Sequence, residues 1–219
     1  MVFYTRRVIL IIMLATIPNF FFGERGKADP RPKIAEMNES QKNNLDRIEK
    51  YLDGISSLRA KFVQVSSNGE ISNGMFWLKK PGFFKFQYAP PSQILIIGDG
   101  TFLSYIDDEI EEIRHMFISS TPLGFLANRK VSLKENMIVS KVENALATLR
   151  YTFRKRSEPK GGAITLVFSD KPLKIRKWIV IDAKGIETEV TFSDLETGID
   201  IKNTIFEIPR KFFVNDRDD

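Results

Sequence analysis

The stretch "WLKKPGFFKFQYAPPSQILIIGDG", residues 77–100, carries five aromatics, three prolines and three lysines. Its apolar runs are punctuated by Pro-Gly, Pro-Pro and Gly-Asp-Gly, which mark turns between strands. Side chains of a strand point alternately to opposite faces, so a sheet with one wet face alternates cleanly between apolar and polar. This stretch does not, because large apolar side chains fall on both faces. Along one parity run Phe76, Leu78 and Lys80, and beyond Pro81-Gly82 run Phe84, Phe86 and Tyr88. Such surface covers either a packed core or a cavity. A lysine closing an apolar row leaves two readings open: it snorkels out at the strand end, or it has a task inside.

The two-residue period extends outward from this stretch. Upstream, "LRAKFVQVS" alternates, "SNGE" turns and "ISNGMFWLKK" returns, which makes a hairpin. Downstream, "QILII", "TFLSYI" and "IEEIRHM" continue an antiparallel meander. The segment "STPLGFLANRK" interrupts it: Thr121 is placed as an N-cap, Pro122 as the first helical residue and Leu123 to Leu126 as a small apolar face. Five more strands follow in "MIVSKVE", "ATLRYTFRKR", "AITLVF", "LKIRKWIVID" and "IETEVTFSD". In the last of these Ile186, Thr188, Val190 and Phe192 share one face. Before the first strand, Met37, Leu45, Ile48, Leu52 and Ile55 fall near helical spacing, which predicts an amphipathic helix over roughly residues 34–53 stopped by Gly54. The expected fold is α+β: a single curved antiparallel sheet of about eleven strands, an incomplete barrel, covered by an N-terminal helix and a short helical lid. A sheet that wide twists and curls.

The chain has 219 residues, no cysteine and 18 phenylalanines. Phe adds apolar area without a polar handle. The basic head "MVFYTRR", the run "VILIIMLATIPNFFFG" and small residues Gly26 and Ala28 read as a secretory signal peptide over residues 1–28. An uncleaved anchor is the alternative. Residues 29–219 are then expected to be one exported domain. Removing residues 1–28 lowers the formal charge from +5 to +2, which takes away the main support for nucleic-acid binding. The absence of cysteine excludes disulfides, thiolate catalysis and Cys-based metal sites, and leaves no residue to carry a lipid.

No catalytic constellation is visible. The one histidine, His115, has no second histidine or cysteine to work with. Asp107, Asp108, Glu109, Glu111 and Glu112 read as a solvated hairpin rather than a cation site. The paired glycines at 98/100 and 161/162 do not match a phosphate loop, and "NES" at 38–40 fits the glycosylation tripeptide, as many sequences do by chance. No enzyme, no cofactor and no metal are expected.

The order "NG…FWLKKPGFFKFQY", "P..Q.LI.DG..L..Y", "TPLGFL", "LVFSDKPLKIRKWIVID..G..T.V.FS" and "F.IP" over residues 45–209 resembles the periplasmic outer-membrane lipoprotein carrier family, LolA. The resemblance implies an eleven-stranded incomplete barrel whose apolar cavity, closed by helices, shields the acyl chains of a lipoprotein moving from inner to outer membrane. It implies as partners acylated lipoproteins, an ATP-driven inner-membrane releasing complex and an outer-membrane acceptor, with the carrier a periplasmic monomer. The family's inward-pointing arginine falls on Lys80, which keeps the charge but lacks the planar fork of donors. The resemblance implies that the cation at this position holds the lid shut through hydrogen bonds to lid backbone carbonyls. Pro122, Leu123, Phe125 and Leu126 fall on the lid, and Phe76, Leu78, Phe84, Phe86, Tyr88, Ile97, Leu103 and Tyr105 are the expected cavity lining. The rival placement puts some of these on the outer face under a loop.

Burying a methylene is worth about 0.8 kcal/mol, so three chains of about 15 carbons are worth roughly 36 kcal/mol against water. That exceeds the ceiling of about 18–21 kcal/mol for non-covalent affinity. Cargo must therefore pass from one apolar environment to another. A carrier or sensor of free lipid on the same fold is the alternative function.

Overall fold

The structure, a computed structural model, describes residues 34–121 and 124–212. The chain opens with helix α1 (Glu39–Asp53), then strands β1 (Ser57–Ser66), β2 (Ile71–Lys79), β3 (Phe83–Tyr88), β4 (Ile94–Asp99), β5 (Phe102–Asp107) and β6 (Glu112–Phe117). A 3-10 turn (Ile118–Ser120) and two single helical turns, α2 (Gly124–Ala127) and α3 (Leu133–Asn136), lead into β7 (Met137–Ala145), β8 (Thr148–Lys155), β9 (Ala163–Ser169), β10 (Lys174–Ile181) and β11 (Glu187–Thr197). Two further 3-10 turns, Asn203–Phe206 and Arg210–Phe212, follow.

All eleven strands form one antiparallel sheet in the order β6-β5-β4-β3-β2-β1-β11-β10-β9-β8-β7. Each half is a meander, and the halves meet where β1 pairs with β11. The edges are β6 and β7, consecutive in the chain, so the insert between them spans the open seam of the barrel. Register slips at Arg59/Lys61, Val139/Lys141 and Ile175/Lys177 bend the strands that carry them.

Helix α1 begins later than its apolar spacing predicts. Asn38 makes a capping box: its side-chain oxygen accepts from the Gln41 N–H at 2.9 Å, and its own N–H donates to the Gln41 side chain at 3.0 Å. Residues 34–38 are not helical, and the Ala35 N–H donates to Val139 O of β7 at 2.9 Å. Leu45, Ile48 and Leu52 bury the stripe against the sheet, and Gly54 caps the C-terminus. Thr121 also differs from its expected role. It is buried, and its hydroxyl donates to Ile118 O at 2.8 Å, closing the preceding 3-10 turn rather than capping a helix.

The doubly apolar stretch now resolves into two cores. On the concave face Phe76, Leu78, Phe84, Phe86 and Ile96 join the main cluster with α1. On the convex face Trp77, Phe83, Leu95 and Ile97 pack with Ile106 against Ile201 and Phe206 of the C-terminal segment. Two polar ties hold that segment down: Lys79 Nζ donates to Ile201 O and Asn203 Oδ1, both at 2.7 Å, and Ser57 Oγ donates to Ile199 O at 2.6 Å.

Ile97, expected in the cavity, is therefore an outer-face residue. Gly98 stands opposite Phe84 and Ile96 opposite Phe86, so the inward parity of β4 is Ile94, Ile96 and Gly98. With apolar residues at 94 through 97, hydrophobicity could not distinguish the two parities. Gly98 itself gives room to the Phe84 ring, because a Cβ there would lie 2.6 Å from Phe84 Cδ1. Replacing Gly98 by Ala is expected to tilt that ring and lower stability by about 1–3 kcal/mol, the usual effect of overpacking, measured as a fall in the urea midpoint with the m-value unchanged.

Candidate functional site

The concave face and α1 bound a narrow apolar cavity that is partly open to solvent. Leu52 and Ile55 line it from the end of the helix, and Leu58, Phe76, Leu78, Phe84 and Phe86 from β1, β2 and β3. Ile175, Trp178, Phe192 and Leu195 line it from β10 and β11, and Leu126 reaches it from α2. The remaining lining residue is Lys80. Register explains the wall: Phe76 stands opposite Phe86 and Leu78 opposite Phe84, while the small Ala60 of β1 faces Phe76 and leaves space beside it. Four of the five rings in the wall pack against one another. Phe76 lies 4.4 Å from Phe86, Trp178 lies 4.6 Å from Phe192, and Phe76 is 5.6 Å from both Trp178 and Phe192, between ring centres.

Of the residues expected to line the cavity, Phe76, Leu78, Phe84 and Phe86 do so. Tyr88, Leu103 and Tyr105 lie on the same face but join the packed core beyond the cavity. There Phe62 and Tyr88 fill the space ring against ring at 5.1 Å, and the Tyr88 hydroxyl donates to the buried Gln64 Oε1 at 2.8 Å. Burial raises both tyrosine hydroxyls above their ordinary pKa, with Asp107 adding to the effect at Tyr105. Sequence reasoning missed the β10–β11 half of the wall. Phe192 had the right parity as a signal, but only the pairing of β1 with β11 brings it opposite Phe62.

Lys80 is the polar feature of the cavity. Its amine donates to Leu52 O at 2.7 Å and, at 3.5 Å, to Asp53 O. These carbonyls belong to the last turn of α1, the negative end of the helix, where a cation is favoured. Partial burial lowers the Lys80 pKa, and the nearby Asp53 carboxylate opposes that shift. The backbone that Lys80 reaches is that of α1; among the described residues no hydrogen bond joins it to α2. The two coverings are nevertheless tied together. Asp53 Oδ1 accepts from the Val131 N–H at 3.0 Å, Glu49 Oε2 accepts from the Lys134 N–H at 3.1 Å, and the Lys134 amine pairs with Asp46. Phe125 is buried in the main core and Leu126 meets the cavity, while Pro122 and Leu123 lie outside the described residues.

The other polar groups noted in the sequence do not converge. His115 is exposed, with Nδ1 2.9 Å from Ser104 Oγ. Asp107 accepts from the Glu109 N–H at 3.1 Å, and Glu112 pairs with Arg114. Among the described residues no cluster of His, Asp and Glu could hold a metal ion, and no helix is long and apolar enough to cross a membrane.

Relatives match about three quarters of this chain. An outer-membrane lipoprotein carrier protein of Methylococcus capsulatus is 25% identical over 170 residues, spanning 74% of this chain and 81% of its own. One from Neisseria meningitidis is 24% identical over 182 residues, spanning 79% and 84%. A solved LolA superfamily protein of Nitrosomonas europaea superposes with a TM-score of 0.44 at 12% identity, over 74% of this chain and 97% of that one. The family described as outer membrane lipoprotein carrier protein LolA matches residues 53–209, and the chain belongs to that family.

Proposed function

We propose that the protein is a periplasmic carrier that shields the acyl chains of lipoproteins in this cavity and moves them from the inner to the outer membrane. One observation carries the reading: the cavity wall is aliphatic and aromatic except for a single amine, and that amine is turned to the helix that covers the cavity. A wall without recognition groups selects hydrocarbon and is indifferent to the polypeptide attached to it. The amine acts on the cover. When Lys80 binds the end of α1 the cavity is closed and small; when it lets go, the helix can swing and acyl chains can enter. Closure then reduces the space available to the cargo and helps expel it toward an acceptor. In this reading residues 1–28 are the export signal, an ATP-driven inner-membrane complex loads the carrier, and an outer-membrane acceptor unloads it.

The second reading is a carrier or sensor of free lipid on the same fold, which the same apolar wall would suit, since nothing in it recognises a polypeptide.

The deciding experiment adds the exported protein, lacking residues 1–28, to energised inner-membrane vesicles that carry a lipoprotein. A soluble one-to-one complex is expected. If no complex forms but lipid is found bound by mass spectrometry, the free-lipid reading replaces it. Lys80→Leu is expected to fold normally and to take up cargo, yet to hand it over about tenfold less efficiently, since a hydrogen bond to a charged group is worth about 1.5–3 kcal/mol; transfer to outer-membrane vesicles reads this directly. The two tryptophans separate the faces. Adding an acyl ligand is expected to change the emission of the Trp77→Phe variant, which keeps Trp178 in the wall, and to leave that of Trp178→Phe nearly unchanged.

A further inference from the structure

The seam of the barrel runs between edge strands β6 and β7, which do not pair. It lies along a groove with Phe117, Ser119 and Ser120 on one bank and Lys155, Arg156 and Ser157 on the other. One side chain crosses it: Lys155 Nζ, at the end of β8, donates to Ser119 O, just beyond β6, at 2.6 Å. Among the described residues this is the one hydrogen bond joining residues 112–121 to β7 or β8. Its neighbour Arg156 has a different role. Arg156 donates to Glu135 O at 3.0 Å and to Lys134 O and Met137 O at 3.1 Å, anchoring the far end of the insert to the strands it leads into. The insert is thus fixed at its β7 end, whereas its β6 end is tied across the seam by Lys155.

We propose that Lys155 is a clasp that sets the width of the seam, and through it the width of the cavity, separately from the Lys80 contact on α1. The two amines act on different parts. Lys80 sits under the helix and controls the mouth, while Lys155 joins the first meander to the second where no strand pairing does. Releasing it lets β6 and the strands paired behind it move away from β8, so the concave surface flattens and the cavity broadens sideways. The groove beside it leaves room for that movement. Partial burial also lowers the Lys155 pKa, consistent with an ammonium drawn partly out of water by the contact. The consequence for cargo rests on the carrier reading; the clasp itself does not.

The chain has no cysteine, so His115→Cys on β6 and Ser157→Cys after β8 give two unique sites for spin labels, one on each bank. Pulsed electron-electron distance measurements on the purified protein need no cargo, so their result stands apart from the outcome of the release assay. In the Lys155→Met background a longer-distance population is expected to rise about tenfold, the effect of losing one hydrogen bond to a charged donor. Lys155→Arg is expected to restore the original distribution, and Lys80→Leu to leave it unchanged. An unaltered distribution in Lys155→Met, or the same shift in Lys80→Leu, would overturn the proposal.

Discussion

Everything on the concave side depends on the pairing of β1 with β11. The two strands come from opposite ends of the sheet-forming chain, and their register sets Phe62 opposite Phe192 and Gln64 opposite Val190. Without that pairing there are two meanders, each with an apolar face and nothing to enclose. With it, Phe76 of one half meets Trp178 and Phe192 of the other, and the cavity wall exists. The entropic cost of closing so long a loop grows only slowly with its length, so the tie is thermodynamically reasonable even though non-local pairing slows folding. The register slip at Arg59/Lys61 then bends β1 next to Leu58, where that strand meets the cavity.

The same joint shows why the sequence was legible in some places and opaque in others. Eleven strands could be read because each is a short apolar or alternating run bounded by its own turn residues, and these are local. The stop of α1 at Gly54 was local as well. The start of α1 was not, because residues 34–38 keep the apolar spacing of a helix while Asn38 caps and the Ala35 N–H pairs with β7. The parity of β4 was illegible for a different reason: two cores lie on either side of it, so Ile96 and Ile97 are both buried. Nothing in "QILII" tells which core takes which residue. The C-terminal segment that creates the second core carries apolar residues at Ile199, Ile201, Ile205, Phe206 and Ile208. That run was the available signal that one face of the opening stretch would be covered from outside.

Lysine at position 80 is a different device from an arginine there. A guanidinium offers five donors in a rigid plane and can bind several carbonyls at fixed angles, whereas an ammonium is a compact charge on a flexible stem. Here the amine makes one short contact, to Leu52 O, and one long one, to Asp53 O. The rest of the cover is secured elsewhere, by the α1 carboxylates that accept from the Val131 and Lys134 amides. Those ties join α1 to the β7 end of the insert, so the Lys80 contact bears on the helix and not on the β6 end that Lys155 holds.

The wall also accounts for how such a site could bind reversibly. In the structure the aromatic rings satisfy one another at 4.4 and 4.6 Å, so an empty cavity exposes little apolar surface to water. A ligand that enters must first separate those contacts, and the dispersion energy of a well-packed interior is lost in proportion to the atoms pulled apart. Part of the gain from burying hydrocarbon is thereby cancelled before any cargo is held. A rigid, permanently open pocket of the same composition would bind more tightly and release more slowly. Self-packing of the wall, rather than any polar recognition group, is what keeps net affinity below the gross value of the buried surface, and it works only if the sheet can open and close.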